Sequence, residues 1–220
     1  MTKLLNDEIE KQLLDVFGKL KGNVKLLLFI GKENCEYCND TKQLLEEVAA
    51  LTSNISLEVK DIEDDADLSR KFGIDKTPGL IIAAEKKGEL IDYGIRFYGI
   101  PAGHEFNSLI QDILLVSSQV SGLDESIRVY LSDLKEPLHL QVFVTPTCPY
   151  CPQAVVLAHR MAMENPLITA EAVEASEYPD LADQFNVSGV PHTVINGGAG
   201  NVIGAAPAEQ MITEIQTALK

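Results

Sequence analysis

Leu26-Leu27-Leu28-Phe29-Ile30-Gly31-Lys32-Glu33-Asn34-Cys35-Glu36-Tyr37-Cys38 joins an apolar run, a short break and a Cys-x-x-Cys pair. The run Leu26 to Ile30 reads as a buried strand. Beyond the pair, Leu44, Leu45, Val48 and Leu51 recur at helical spacing, so the two cysteines sit where a strand gives way to an amphipathic helix. The order returns downstream. Leu138 to Val144 reads as a strand, Cys148-Pro149-Tyr150-Cys151 follows, and Val155, Leu157, Ala158 and Met161 mark the inward face of a long helix.

Offsetting the chain by 113 residues superimposes the two pairs and much else without a gap. Tyr37 falls on Tyr150, Leu44 on Leu157, Ala49 on Ala162, Asp67 on Asp180, Leu68 on Leu181, Phe72 on Phe185 and Ile74 on Val187. Pro78 lies 43 residues after Cys35, and Pro191 lies 43 residues after Cys148. Chance can duplicate a four-residue motif, but rarely a distant proline and an apolar pattern with it. The chain therefore reads as a duplicated unit, with a boundary in the small, polar stretch Ser117 to Gly122 and units over 1–120 and 121–220.

Each half predicts the same elements. In the first, Asn6 caps a helix from Asp7 to about Leu20, with acidic residues in its first turn. Ile55 to Asp61 alternates as a strand, and 65–72 reads as a short helix. Leu80 to Ala84 and Leu90 to Tyr93 flank a turn as a hairpin, and Phe106, Leu109, Ile110 and Ile113 mark a closing helix. In the second, helix 124–134, strands 168–173 and 193–196, a short turn at Gly197-Gly198 and a helix carrying Met211, Ile212, Ile215 and Leu219 follow in turn. The fold class is α/β, with two tandem units, each a mixed central sheet flanked by helices.

A Cys-x-x-Cys at a helix start has a definite use. Unpaired amides and the helix dipole stabilise negative charge there, and the thiolate is the attacking species. Cys35 and Cys148 read as nucleophiles. Cys38 and Cys151, one turn on, read as the thiols that resolve the mixed disulfide. Two such pairs could instead make a four-cysteine zinc site. Zinc ribbons, however, separate their pairs by about 15–20 residues, whereas here the second pair starts 113 residues after the first. Redox chemistry is the favoured reading, with no metal expected.

Composition agrees. The chain has 220 residues, 45% hydrophobic and 23% charged, with a formal net charge of −15. An acidic chain repels phosphate backbones, so nucleic acid is not an expected partner. No apolar run is long enough to span a bilayer. Charged residues from Lys3 to Lys19 break up the first 20 positions, which do not read as a signal peptide. The expected location is the cytoplasm. No dinucleotide fingerprint is present, so no cofactor is expected.

The combination of Cys-x-x-Cys opening a helix, a proline 43 residues on and a hairpin-plus-helix ending resembles the thioredoxin superfamily. Cys148-Pro149-Tyr150-Cys151 is similar to the glutaredoxin-type active-site sequence, and Ser188-Gly189-Val190-Pro191 to the family's cis-proline loop. Two units in this length resemble the protein disulfide oxidoreductases of archaea and thermophilic bacteria. The resemblance implies that Pro78 and Pro191 are cis-prolines beside the disulfides, with the backbone of Thr77 and Val190 pairing with an extended substrate segment. It also implies protein disulfides and dithiols as substrates and a thioredoxin-reductase-like flavoprotein as electron source. Some positions depart from the pattern. Asn34 and Thr147 stand where a Trp precedes the pair, and Phe29 and Val142 stand where thioredoxins bury an acid. The first loop, Asp75-Lys76-Thr77-Pro78, matches less closely than the second.

The leading expectation is an enzyme that reduces, oxidises or isomerises protein disulfides. The alternatives are an electron relay serving peroxidases, or a client-binding folding module with little turnover. Glu33 and Glu36 beside the first pair disfavour a thiolate, so Cys148 is expected to be the more acidic and reactive nucleophile. Tyr37 and Tyr150 are candidates for substrate contact. His192 reads as a strand residue without a catalytic duty, and His104, His139 and His159 show no partner pattern.

Overall fold

A computed structural model describes residues 3–33 and 35–220; Asn34 lies outside the described residues. The elements are α1 (Asp7–Phe17), β1 (Asn23–Ile30), α2 (Cys38–Ala50), β2 (Ile55–Asp61), α3 (Ala66–Phe72), β3 (Gly79–Lys86), β4 (Glu89–Tyr98) and α4 (Glu105–Ser118). The second half follows with α5 (Glu125–Ser132), β5 (Leu138–Val144), α6 (Cys151–Ala162), β6 (Ile168–Glu174), α7 (Pro179–Gln184), β7 (His192–Ile195), β8 (Gly200–Ile203) and α8 (Ala208–Ala218).

The strands form one sheet in the order β2-β1-β3-β4-β6-β5-β7-β8. Each half contributes four neighbours in the same relative order. β1 pairs in parallel with β2 and antiparallel with β3, as β5 does with β6 and β7. The apolar runs of the central strands cover both faces because helices lie on both sides. Along β1, Leu26 and Leu28 face the larger core with α1, α2 and α4, while Leu27 and Phe29 face a smaller core with residues of α3 and α7.

The halves join where β4 pairs in parallel with β6, Ile95 against Ala170 and Tyr98 against Val173. The sequence pattern ends this strand at Tyr93, but it runs to Tyr98. Gly94 breaks the alternation with φ 76°, and an Ala there would put its Cβ 2.3 Å from the Ile168 carbonyl oxygen. The strand resumes because β6 of the other half receives it. Arg96, buried at this seam, donates to Asp92 at 2.7 and 2.6 Å and to the Phe72 carbonyl.

Smaller differences fall at helix ends. α1 stops at Phe17 rather than Leu20, and α5 at Ser132 rather than Leu134, because the next amides bond three residues back (Lys19 to Val16, Leu134 to Leu131) and tighten the last turn out of α geometry. β1 starts at Asn23, three residues before the apolar run, since the Val24 amide already bonds the Asn54 carbonyl. α4 runs through Ser117, whose Oγ accepts from the Lys21 and Gly22 amides and donates to the Gly22 carbonyl.

The seam yields a stability expectation. Gly88 also has positive φ, 81°, but a Cβ there meets nothing within 4 Å. Gly88→Ala therefore loses about 1 kcal/mol, the left-handed conformational cost alone. Gly94→Ala adds a backbone clash and loses roughly 3 kcal/mol or more. Urea unfolding of the two variants checks this, and equal losses would mean that Gly94 is not a packing constraint.

Candidate active site

Each cysteine pair lies at the end of a buried strand and the beginning of a helix. The second cysteine of each pair, Cys38 or Cys151, is the first helical residue, and the first cysteine stands three residues before it, ahead of a two-residue turn. Tyr37 and Tyr150 occupy the N-cap positions and cap nothing with their side chains. In α6 the leading amide is thus left to a sulfur, while in the first repeat the sulfur takes an amide from just past the end of β1. The Cys151 N–H donates to Cys148 Sγ at 3.1 Å, and the Gly31 N–H to Cys38 Sγ at 3.4 Å.

Both pairs are closed as disulfides, Cys35–Cys38 and Cys148–Cys151, with Cα–Cα distances of 5.4 and 5.5 Å. Within each pair the first sulfur's residue is the more accessible. Cys35 is half-buried against Cys38 at 4%, and Cys148 is 8% exposed against Cys151 at 0%. The bonds Thr77–Pro78 and Val190–Pro191 are cis. Sheet register carries both prolines to the motif end of the sheet, since Gly79 pairs with Phe29 and His192 with Phe143. Cys35 and Thr77 line one groove of about 700 Å³, together with Ile100 and Glu177.

β1 and β5 run in the same direction, because two antiparallel and then two parallel pairings separate them. Both motifs therefore open on one edge of the sheet. Four strand spacings of about 4.8 Å separate them, roughly 19 Å. Direct sulfur exchange between the two centres does not fit that spacing.

Sequence reasoning missed several buried polar groups. His159, read as lacking a partner, sits fully buried with Nδ1 2.6 Å from Asp112 Oδ2, and the Phe97 ring edge packs on it at 5.1 Å. His139 pairs with Glu171 at 2.8 Å. Glu105 opens α4 beside the loop leading to Cys148, where the His104 N–H donates to the Pro146 carbonyl at 2.8 Å. The signal was present: Glu105, Ser108 and Asp112 recur at core spacing along α4 with Leu109, Ile113 and Val116. His192 begins β7, buried, and lines a separate pocket with Phe185 and Asn201.

Burial pushes the Glu105 carboxyl up to about 7, against the opposing hydrogen bond from Ser108 and the attraction of His159. A raised acid holds its proton in the folded chain after the unfolded chain has lost it. Its stabilisation is complete below about 4.5 and is lost as pH rises through 7. Glu105→Gln should therefore flatten the decline in unfolding free energy between about pH 4.5 and 7, by up to roughly 3 kcal/mol. Chemical denaturation across that range measures it, and parallel wild-type and variant curves would contradict it.

Residues 23–111 and 138–217 each match the thioredoxin domain family. A protein disulfide oxidoreductase from Aeropyrum pernix superposes with a TM-score of 0.88 at 31% identity, covering 96% of this chain and 92% of that one. The alkylhydroperoxide reductase AhpF from Enterococcus faecalis superposes with a TM-score of 0.86 at 30% identity, covering 96% and 99%. The corresponding alkyl hydroperoxide reductase chain of Staphylococcus epidermidis is 29% identical over 194 residues, which are 88% of this chain and 34% of that protein. The chain thus spans about a third of the length of the curated relatives it matches. Among the described residues no helix is long and apolar enough to cross a membrane. The chain belongs to the thioredoxin domain family, as a two-repeat homologue of the protein disulfide oxidoreductases with two Cys-x-x-Cys redox disulfides.

Proposed function

We propose that this chain reduces, oxidises or isomerises protein disulfides at two separate centres, one in a unit over 1–120 and one in a unit over 121–220. Cys35 and Cys148 attack the substrate disulfide, and Cys38 and Cys151 resolve the mixed disulfide. The observation that carries the reading is the paired geometry: in both repeats the first cysteine is the more accessible and the second is buried at a helix's leading end. Thr77 with Pro78, and Val190 with Pro191, offer backbone for an extended substrate segment to pair with. The shared groove of Cys35 and Thr77 supports this for the first centre.

A thioredoxin-reductase-like flavoprotein is the proposed electron source, and the cytoplasm, where thiols are kept reduced, the proposed location. The likeness to the alkyl hydroperoxide reductases favours a second reading. In it the chain relays electrons from such a flavoprotein to a hydroperoxide-reducing partner, by the same exchange chemistry.

Insulin reduction driven by dithiothreitol tests the leading reading. Cys35→Ser and Cys148→Ser should each retain part of the turnover, and the double variant should fall to background, about 100-fold or more below wild type. Turnover surviving in the double variant would refute the assignment. Alkylation of the two reduced nucleophiles, each measured with the other changed to Ser, should reach half its maximal rate at a lower pH at Cys148 than at Cys35. Coincident profiles would remove the proposed difference between the centres.

A further inference from the structure

The groove over the first disulfide is walled by carboxylates from both repeats. Glu36 and Asp40 come from the motif and α2, and Glu174 and Glu177 from the end of β6 and the turn beyond it. None of the described residues lining the groove is Lys, Arg or His. Lys76, next to Thr77, is engaged elsewhere, with its ammonium on Asp75 and over the Tyr98 ring at 4.1 Å.

The second repeat's wall is built in. Gly99 has φ 92°, and a Cβ there would come within 2.6 Å of Glu174 Cβ and 2.8 Å of Glu177 Oε1. Glu177 Oε1 accepts from the Ile100 N–H at 2.7 Å, and Glu174 Oε2 accepts from the Glu177 N–H at 2.6 Å. Glu174 is only 5% exposed, and its Oε1 has no hydrogen-bond partner among the described residues. The Tyr178 hydroxyl, on the same groove, is likewise unpartnered. A buried carboxylate oxygen without a donor is costly unless a donor arrives. Burial, with Glu174 and Glu36 nearby, lifts Glu177 to about 7 against the Ile100 hydrogen bond, as expected where no cation compensates.

The second centre is an internal control. At the 113-residue offset, Glu33, Glu36 and Asp40 become Pro146, Pro149 and Gln153. Every acidic position of the first motif is neutral in the second. Among the described residues β8 is an edge strand of the sheet, whereas its counterpart β4 in the first repeat pairs with β6, whose end supplies Glu174.

We infer that the Cys35–Cys38 centre selects cationic disulfides, those with a Lys, Arg or other ammonium group beside the S–S bond, by placing that cation against Glu174, Glu177 and Glu36. The inference rests on the exchange chemistry proposed above and adds its substrate class. In the reducing direction the Cys35 thiolate attacks one sulfur of R–S–S–R, forming Cys35–S–S–R and releasing RS⁻. The Cys38 thiolate then attacks Cys35 Sγ, closing the protein disulfide and releasing the second RS⁻. Two electrons pass to the substrate, and the two protons of the original thiols end on two RSH.

The test uses the reduced full-length chain with Cys148→Ser/Cys151→Ser, so that only the first centre reacts. Its rates of oxidation by cystamine (a dication), hydroxyethyl disulfide (neutral) and oxidised glutathione (an anion) are compared at about pH 8. Cystamine should exceed hydroxyethyl disulfide, and hydroxyethyl disulfide exceed glutathione disulfide, each by about tenfold at low salt, within the range of electrostatic steering. The cystamine advantage should shrink in roughly 0.3 M salt and should fall severalfold in Glu174→Gln and Glu177→Gln. The reduced Cys35→Ser/Cys38→Ser chain, reporting the second centre, should show little preference. Equal rates for the three probes, or the same preference at both centres, would overturn the inference while leaving the oxidoreductase reading intact. Failure of the first centre to react with any of the three would instead overturn both, and the salt series on the unmodified groove decides the matter should a Gln variant not fold.

Discussion

The chemistry of both repeats depends on holding a pair of sulfurs at the leading end of a helix, within reach of backbone amides. The Cys151 N–H aimed at Cys148 Sγ is the contact that expresses it. Such a contact stabilises charge only if its geometry is fixed before the reaction. The rest of each repeat does that fixing. A strand buried on both faces sets the position of the motif, the apolar face of α2 or α6 sets the helix axis, and the strand behind the cis-proline closes the other side. The tyrosines at the caps leave the helix ends open to the sulfurs rather than satisfied by a Ser or Asp side chain.

Joining the repeats through β4 and β6 has consequences that duplication alone would not produce. Parallel pairing at the seam brings both motifs to one edge of the sheet but keeps them several strands apart. It also makes the repeats unequal. The first centre acquires a wall from its neighbour, the turn after β6 anchored to the Ile100 amide. The second lies on the side of β8, an edge strand of the sheet among the described residues. Two copies of one unit thus carry one disulfide in an acidic cleft and one beside neutral prolines.

The repeat, the α/β order and the placement of the four cysteines were legible in the sequence, because they rest on local periodicity and on a motif that recurs at one offset. Contacts between the repeats were not. Gly94 looked like the end of a strand, since nothing near it in sequence reveals that β6 will pair with Ile95 to Tyr98. Glu174 and Glu177 looked like surface acids at a strand end, and only the packing of Gly99 against them makes them part of the first centre. Asp112 and His159 lie 47 residues apart, and their pairing needs α4 and α6 to meet. A polar residue on each helix's apolar face was the one local sign.

If each repeat is a complete two-electron couple, its disulfide opens and closes without help from the other. The direct measurement is a redox titration of each pair in the full chain with the other pair changed to Ser. One two-electron transition is expected for each centre, about 30 mV per tenfold change in the poising ratio, at a potential unaltered by the state of the other pair. A centre that fails to re-form its disulfide alone, or whose transition vanishes when the other pair is removed, would contradict that independence.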